Sequence, residues 1–274
     1  MVTQQIRWRA RRDCLNFESI EVTQKAHITH VLLNRPDSMN AITPDMHDEL
    51  QAAFDQFAAD DTQYICVITG AGERAFCAGS DLKAMAAGGR ATYPKNGYAG
   101  LIERFDLNKP IIAGVDGFAL GGGFEVALAC DVIIATDRSS FGLPEPLVGA
   151  VALGGGLHRL ARQIGLKQAM GMVLTAERVS ALEGHRLGFV NQVVQPGELD
   201  ATIADWCERI LRCAPLSVAA SKESIMKGLG EPDLETAMRE QESYPAFYRW
   251  RRSEDAKEGP RAFAEKRPPE WKGQ

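Results

Sequence analysis

The sequence predicts an α/β fold with a helical C-terminal region, and three observations point there. Between Phe17 and about Pro196, short apolar runs alternate with helix-like segments, the pattern of strands and helices layered on one another. Beyond Pro196 the strand-like runs give way to helical periodicity over 198–214, 216–228 and 234–248, followed by a charged tail over 251–274. At 274 residues, 45% hydrophobic and 24% charged, the chain can bury a sizeable core.

Taken in order, residues 1–12 carry four arginines and no acid. They lack the serine-rich amphipathic length of a transit peptide and read as an N-terminal arm. Residues 19–22 and 27–33 read as a strand pair, closed by Asn34, Arg35 and Pro36. Thr43 and Pro44 open a helix: the threonine caps, proline fits the first helical position, and Met46, Leu50, Ala53, Phe54 and Phe57 recur on one face. Residues 65–69, Ile111–Val115 and 132–135 are short apolar strands. Residues 125–130 read as a buried helix after Gly121, Gly122 and Gly123. The stretch 88–100, with Tyr93, Pro94 and Tyr98, has the composition of a loop.

Composition also excludes. A net charge of −5 disfavours nucleic acid or an anionic membrane as the principal partner. Six cysteines without a C-x-x-C pair read as reduced thiols of a cytoplasmic protein, and the five histidines lack metal-ligand spacing, so no metal is expected. No segment approaches the ~18 apolar residues of a membrane span.

The chemistry centres on the triple glycine and Glu125. Glycine weakens a helix start by roughly 1 kcal/mol relative to alanine, so three in a row mark close backbone approach or N–H groups kept free. The first N–H groups of a helix lack intrahelical partners and carry the positive end of its dipole. Alone, such a turn is more often tight packing than a site. The glycines match neither a dinucleotide fingerprint nor a P-loop. Two further elements converge with it. The turn Cys77-Ala78-Gly79-Ser80-Asp81 follows a strand and can present another N–H, although Asp81 alone reads as a helix cap. Glu145 stands between Pro144 and Pro146 on a stiff backbone; taken alone it reads as a surface charge. Together these elements offer two backbone donors and two carboxylates, a set suited to making an enolate beside a thioester or similar carbonyl.

The motifs Asn34-Arg35-Pro36 with Asn40-Ala41-Ile42, Phe76-Cys77-Ala78-Gly79-Ser80-Asp81-Leu82-Lys83, the run from Lys109 through Gly121-Gly122-Gly123-Phe124-Glu125, and Phe141-Gly142-Leu143-Pro144-Glu145 resemble the crotonase, or enoyl-CoA hydratase/isomerase, superfamily in order and spacing. The resemblance implies a spiral of repeated ββα units over 17–197, an arm over 1–16, and a helical trimerisation region over 198–274, with trimers that can pair into hexamers. It implies an acyl-CoA thioester substrate and no separate cofactor. The oxyanion hole would be the N–H groups of Ser80 and Gly122, and the two acid/base glutamates Glu125 and Glu145. Ala78, Asp81, Leu82 and Lys83 match the CoA-binding loop, and Phe263 and Lys266 match tail residues that reach CoA, often across a subunit boundary.

The pattern implies enoyl-CoA hydration, with a carnitinyl-CoA dehydratase-like activity or double-bond isomerisation as alternatives and an idle acyl-CoA binder as a further one. Gly97-Tyr98-Ala99-Gly100-Leu101 and the ending through Trp271-Lys272-Gly273 resemble the carnitinyl-CoA dehydratase-like members in particular. The loop over 88–100, with Tyr93, Pro94 and Tyr98, is expected to lie over the acyl site. One segment departs from the hydratase pattern. Where hydratases carry Pro, Gly and Thr-Gln, this chain has Ala152, Leu153 and Leu157-His158, which puts the acyl pocket and the orientation of Glu145 in question. His158 is a candidate acid/base there, against a structural role at a helix start.

Overall fold

The computed structural model describes residues 17–86 and 92–274. The expected arm over 1–16 lies outside them, as does part of the expected loop over 88–100. Among the described residues ten strands form two sheets. The larger has the order β1 (Ile20–Lys25), β2 (Ile28–Leu33), β3 (Ile65–Gly70), β5 (Ile111–Val115), β7 (Val132–Thr136) and β10 (Gln192–Val194). The smaller has the order β4 (Ala75–Cys77), β6 (Phe118–Leu120), β8 (Ser140–Gly142) and β9 (Val179–Ser180).

The chain crosses from one sheet to the other in a repeating step. β3 lies in the large sheet and β4 in the small one; β5 and β6 repeat the move, and β7 and β8 repeat it again. A helix follows each pair: α2 (Leu82–Ala86), α3 (Gly122–Ala129) and, after a 3-10 turn over Glu145–Val148, α4 (Gly156–Gln163). Pairing within the winding is parallel, Cys66 opposite Ile111 and Ile112 opposite Val132. Parallel strands covered on both faces read as continuous apolar runs, which is why 65–69 and Ile111–Val115 were legible. The three-residue strands β4, β6 and β8 are too short for any period, and the sequence reading did not resolve them.

Helix α1 (Pro44–Ala59) begins as its sequence predicts, with the Thr43 hydroxyl accepting from the Met46 N–H. Met46, Leu50, Ala53, Phe54 and Phe57 are all buried, joining the core beneath β2, β3 and β5. A second apolar layer on the other face of the large sheet gathers Ile65, Val67, Ile112 and Ile134 against Leu199, Ile203 and Cys207 of α7 (Leu199–Leu211). Helices α5 (Leu166–Thr175) and α6 (Ala181–Leu187) complete the winding.

The C-terminal region is helical, as expected, but differs in its breaks. The segment read as one helix over 234–248 is α9 (Leu234–Glu240), a 3-10 turn over Gln241–Ser243 and α10 (Pro245–Arg251). Pro245 has no N–H to continue a helix and biases Tyr244 to an extended backbone, so a new helix starts there. α8 (Pro215–Gly228) packs on α10. The charged tail contains α11 (Asp255–Ala264), whose carboxylates hold the following strand-less segment: Asp255 accepts from the N–H groups of Lys272 and Gly273 at 2.8 and 2.9 Å. Among the described residues no helix is long and apolar enough to cross a membrane, and no group of three or more His, Cys, Asp or Glu is placed to hold a metal ion.

Candidate active site

The site forms where the three windings meet at the start of α3. Gly121 caps this helix with φ of +54°, in the region that favours glycine, so the chain turns sharply out of β6. The glycines thus lie at and within the helix start rather than in a turn before it. A Cβ on Gly123 would strike the Cys77 carbonyl of β4, and one on Gly122 would strike the Tyr98 ring. The triple glycine therefore serves close approach on two sides and leaves the Gly122 N–H, at the first helical position, without an intrahelical acceptor.

Ser80 comes to the same place. Ile42 forms an isolated parallel bridge with it, using the Gly79 carbonyl and the Asp81 N–H at 2.8 and 2.9 Å, which turns the Ser80 N–H the other way. A Cβ on Gly79, where φ is +94°, would come within 3.2 Å of the Gly122 nitrogen, so the two turns touch. Among the described residues neither the Ser80 nor the Gly122 N–H is given an acceptor. Two unpaired donors side by side, one on a helix dipole, form a cradle for an oxyanion.

Both expected glutamates flank this cradle. Glu125 is buried, and its Oε1 accepts from the Gly156 N–H at 2.9 Å. Burial pushes its carboxyl up to about 7; the Gly156 bond opposes the shift and the nearby Glu145 adds to it. Glu145 opens the 3-10 turn after β8 with Pro146 behind it, and its Oε1 faces the Gly121 Cα closely enough that a Cβ there would sit 3.0 Å away. Its own carboxyl is also raised by burial, and its Oε2 is buried without a hydrogen-bond partner among the described residues. Two carboxylates that hold protons above their usual range, one more than the other, can divide acid and base roles.

The segment that departs from the hydratase pattern cradles Glu125. A Cβ on Gly154 would overlap the Glu125 carboxylate, and one on Gly156 would come within 2.8 Å of its Cγ. Ala152 is buried, Leu157 packs on the core, and Leu153 is 77% exposed. The exposed imidazole of His158 lies on the outer side of α4 and has no bond to either glutamate, so it takes no part in the constellation. This second run of glycines carried the same signal as the first, and the sequence reading missed its purpose.

Tyr98, named within the segment expected over the acyl site, reaches the cradle, and His47 is a residue the sequence reading missed. Tyr98 is 2% exposed, lies against Gly122, and its hydroxyl is 3.2 Å from the Ser80 Oγ. His47 of α1 stands behind it with ring centroids 4.5 Å apart, and its Nδ1 accepts from the Ala99 N–H at 2.9 Å. Burial pulls the His47 imidazole down to about 4, so the ring is neutral and can accept that bond. Tyr93 packs edge-on to both rings.

The expected CoA-loop residues take ordinary structural partners around this centre. Ala78 donates its N–H to the Met39 carbonyl; Asp81 caps α2 through the N–H groups of Lys83 and Ala84 and pairs with Arg35 at 3.1 Å. Leu82 and Lys83 are exposed beside it. Phe263 and Lys266 are exposed at the end of α11, and within the single chain no described bond joins them to the centre.

The winding of paired strands gathers two N–H groups and two carboxylates at the start of one helix, and both the winding and the sequence place the chain in a known class. Residues 23–274 match the enoyl-CoA hydratase/isomerase family, and the chain belongs to it. It is 44% identical over 260 residues to a carnitinyl-CoA dehydratase of Proteus mirabilis (strain HI4320), a match covering 93% of this chain and 99% of that protein. A carnitinyl-CoA dehydratase of Salmonella arizonae is likewise 44% identical, over 263 residues, with the same coverage. Among solved structures, an enoyl-CoA hydratase from Mycobacterium tuberculosis H37Rv superimposes with a TM-score of 0.87 at 39% identity, covering 93% of this chain and 99% of that one. Enoyl-CoA hydratase EchA1 from Mycobacterium marinum gives 0.87 at 41% identity, with the same coverage.

Proposed function

We propose that this chain adds and removes water reversibly across C2 and C3 of an acyl-CoA thioester. The Ser80 and Gly122 N–H groups hold the thioester oxygen; one of Glu125 and Glu145 takes a proton from the water that attacks C3, and the other delivers a proton to C2. The enolate formed between these events is the charge that the two N–H groups stabilise, and such donors are commonly worth ~10²–10³ in rate each. The observation that carries the reading is the pair of raised carboxylates beside two N–H groups without acceptors. A double-bond isomerase needs only one proton carrier, so the pair favours hydration. Coenzyme A enters as part of the substrate, against Ala78, Asp81, Leu82 and Lys83, with Phe263 and Lys266 reaching it from a neighbouring subunit of a homotrimer.

Within that reaction a carnitinyl-type thioester is the favoured acyl group. The carnitinyl-CoA dehydratase relatives support it, and so does the exposed ring of Tyr93, which packs edge-on to Tyr98 at 5.5 Å between centroids. Quaternary ammonium groups bind against aromatic faces of this kind. Loss of the conjugated thioester absorbance tests the reading, with a short 2-enoyl-CoA compared with one bearing a trimethylammonium at C4. Turnover abolished by Glu125→Gln and by Glu145→Gln is expected; turnover that survives both substitutions overturns the mechanism. Preference for the uncharged thioester overturns the choice of acyl group alone.

A further inference from the structure

Two hydroxyls, of Ser80 and Tyr98, share one hydrogen bond at 3.2 Å. One bond uses one proton, so whichever oxygen donates, the pair keeps a second O–H with no acceptor among the described residues. Tyr98 is buried and stands against Gly122, while Ser80 carries one of the two backbone donors. The spare O–H therefore lies beside both N–H groups of the cradle. With Ser80 donating to the Tyr98 oxygen, the spare proton is the phenolic one.

The phenol is held there by an arrangement that ring packing alone does not require. The Gln51 amide of α1 grips Asn96 twice, donating to its Oδ1 at 2.8 Å and accepting from its N–H at 3.0 Å. His47 accepts from Ala99, whose φ of +56° is unusual for a residue with a side chain. Gly100, with φ of +59°, lies so close to the Gln51 backbone that a Cβ would overlap it. Strained backbone pinned from three sides marks a segment whose geometry is over-determined, and such segments gather where a side chain must be aimed. Burial raises the phenol well above its ordinary value, so it keeps its proton near neutral pH.

We propose that Tyr98 is a catalytic residue of this site: its hydroxyl, tethered by Ser80, is a third hydrogen-bond donor to the thioester oxygen beside the Ser80 and Gly122 N–H groups. The proposal rests on the hydratase reading for its rate effect, though its spectroscopic effect needs only that a conjugated thioester binds. The donor makes no bond and breaks none; it strengthens as negative charge moves onto the oxygen, and so acts on the transition state more than on the bound substrate.

Tyr98→Phe tests this, because it keeps the ring against Gly122 and His47 and removes only the hydroxyl. Two quantities are measured: the red-shift of the absorbance of cinnamoyl-CoA on binding, which reads polarisation of the carbonyl, and kcat and KM for the best enoyl-CoA. The expected result is a smaller red-shift, kcat lowered about 10- to 100-fold with KM within about twofold, and an unchanged melting temperature. Ser80→Ala, which keeps the N–H and loses the tether, is expected to give a smaller loss in the same two readouts. An unchanged red-shift in Tyr98→Phe overturns the proposal whatever happens to kcat. If the wild type hydrates no enoyl-CoA, the hydratase reading falls, and the red-shift alone decides for or against Tyr98.

Discussion

Glu125 shows how one residue links burial, chemistry and stability. Its folded carboxyl releases its proton near 7, against about 4.5 for an ordinary glutamate. Between those values the folded chain keeps a proton that the unfolded chain has lost, so stability falls as pH rises through the window. Glu125→Gln removes that dependence. Denaturant titrations at pH 5 and pH 8 are expected to show the variant gaining on the wild type by on the order of 3 kcal/mol between the two. Equal differences at both pH values would place the carboxyl in a wetter setting than its burial implies. Gly122 makes a second case, since a Cβ there meets the Tyr98 ring. Gly122→Ala is expected to lower kcat by ~10² or more, with a loss of about 1–3 kcal/mol in stability, read by stopped-time assay and thermal melt. Both residues were legible in the sequence, because a run of glycines before a carboxylate is conspicuous. Tyr98 was legible only as part of a segment over the site, and His47 not at all: their importance lies in which distant turn they touch, and no local pattern records it.

At the scale of elements, the legible parts were those with a period or a cap. Thr43 and Pro44 announced α1, and continuous apolar runs announced β3, β5 and β7. The short strands of the smaller sheet, the break at Pro245 and the hidden helix α11 depended on pairing and packing beyond any local window. The altered segment over 152–158 looked like a threat to Glu145, yet its glycines hold Glu125. The clamp between α1 and the 96–100 segment makes a prediction at this level. Gln51→Ala removes two hydrogen bonds to Asn96, each worth about 1 kcal/mol, and frees the segment that carries Tyr98. Amide exchange at Asn96, Ala99 and Gly100 is expected to speed up at least tenfold, with kcat falling and the melting temperature dropping by about 4–8 °C. Unchanged exchange at those amides would mean that His47 alone suffices.

For the whole molecule, two of the groups of large apolar side chains left outside the core stand out. Ile225, Met226, Leu229, Leu234 and Met238 are exposed on α8, α9 and their connection, and Leu147, Val148, Val151 and Leu153 are exposed around the 3-10 turn after Glu145. Contiguous apolar surface on a single chain marks an interaction site, and a homotrimer would cover it. Sedimentation velocity is expected to give a trimer or its double; Leu229→Asp with Met238→Lys is expected to shift the protein toward monomer and to weaken CoA binding as the tail residues are lost. A monomeric wild type would remove the neighbouring subunit from the proposed CoA site.

The winding that brings Ser80, Gly122, Glu125 and Glu145 together has a cost in time. Ile28 pairs with Ile65, Cys66 with Ile111, and Ile134 with Gln192, so outside the β1–β2 hairpin the rungs of the large sheet join distant stretches of chain. Each such closure gives up chain entropy before any strand is rewarded, which slows folding relative to helical proteins of similar stability. During synthesis β3 emerges long before β5, and its apolar run has only β2 to pair with until then. The candidate site is thus assembled only once the stretch through Gly156 has joined Ser80, Gly122 and Glu125.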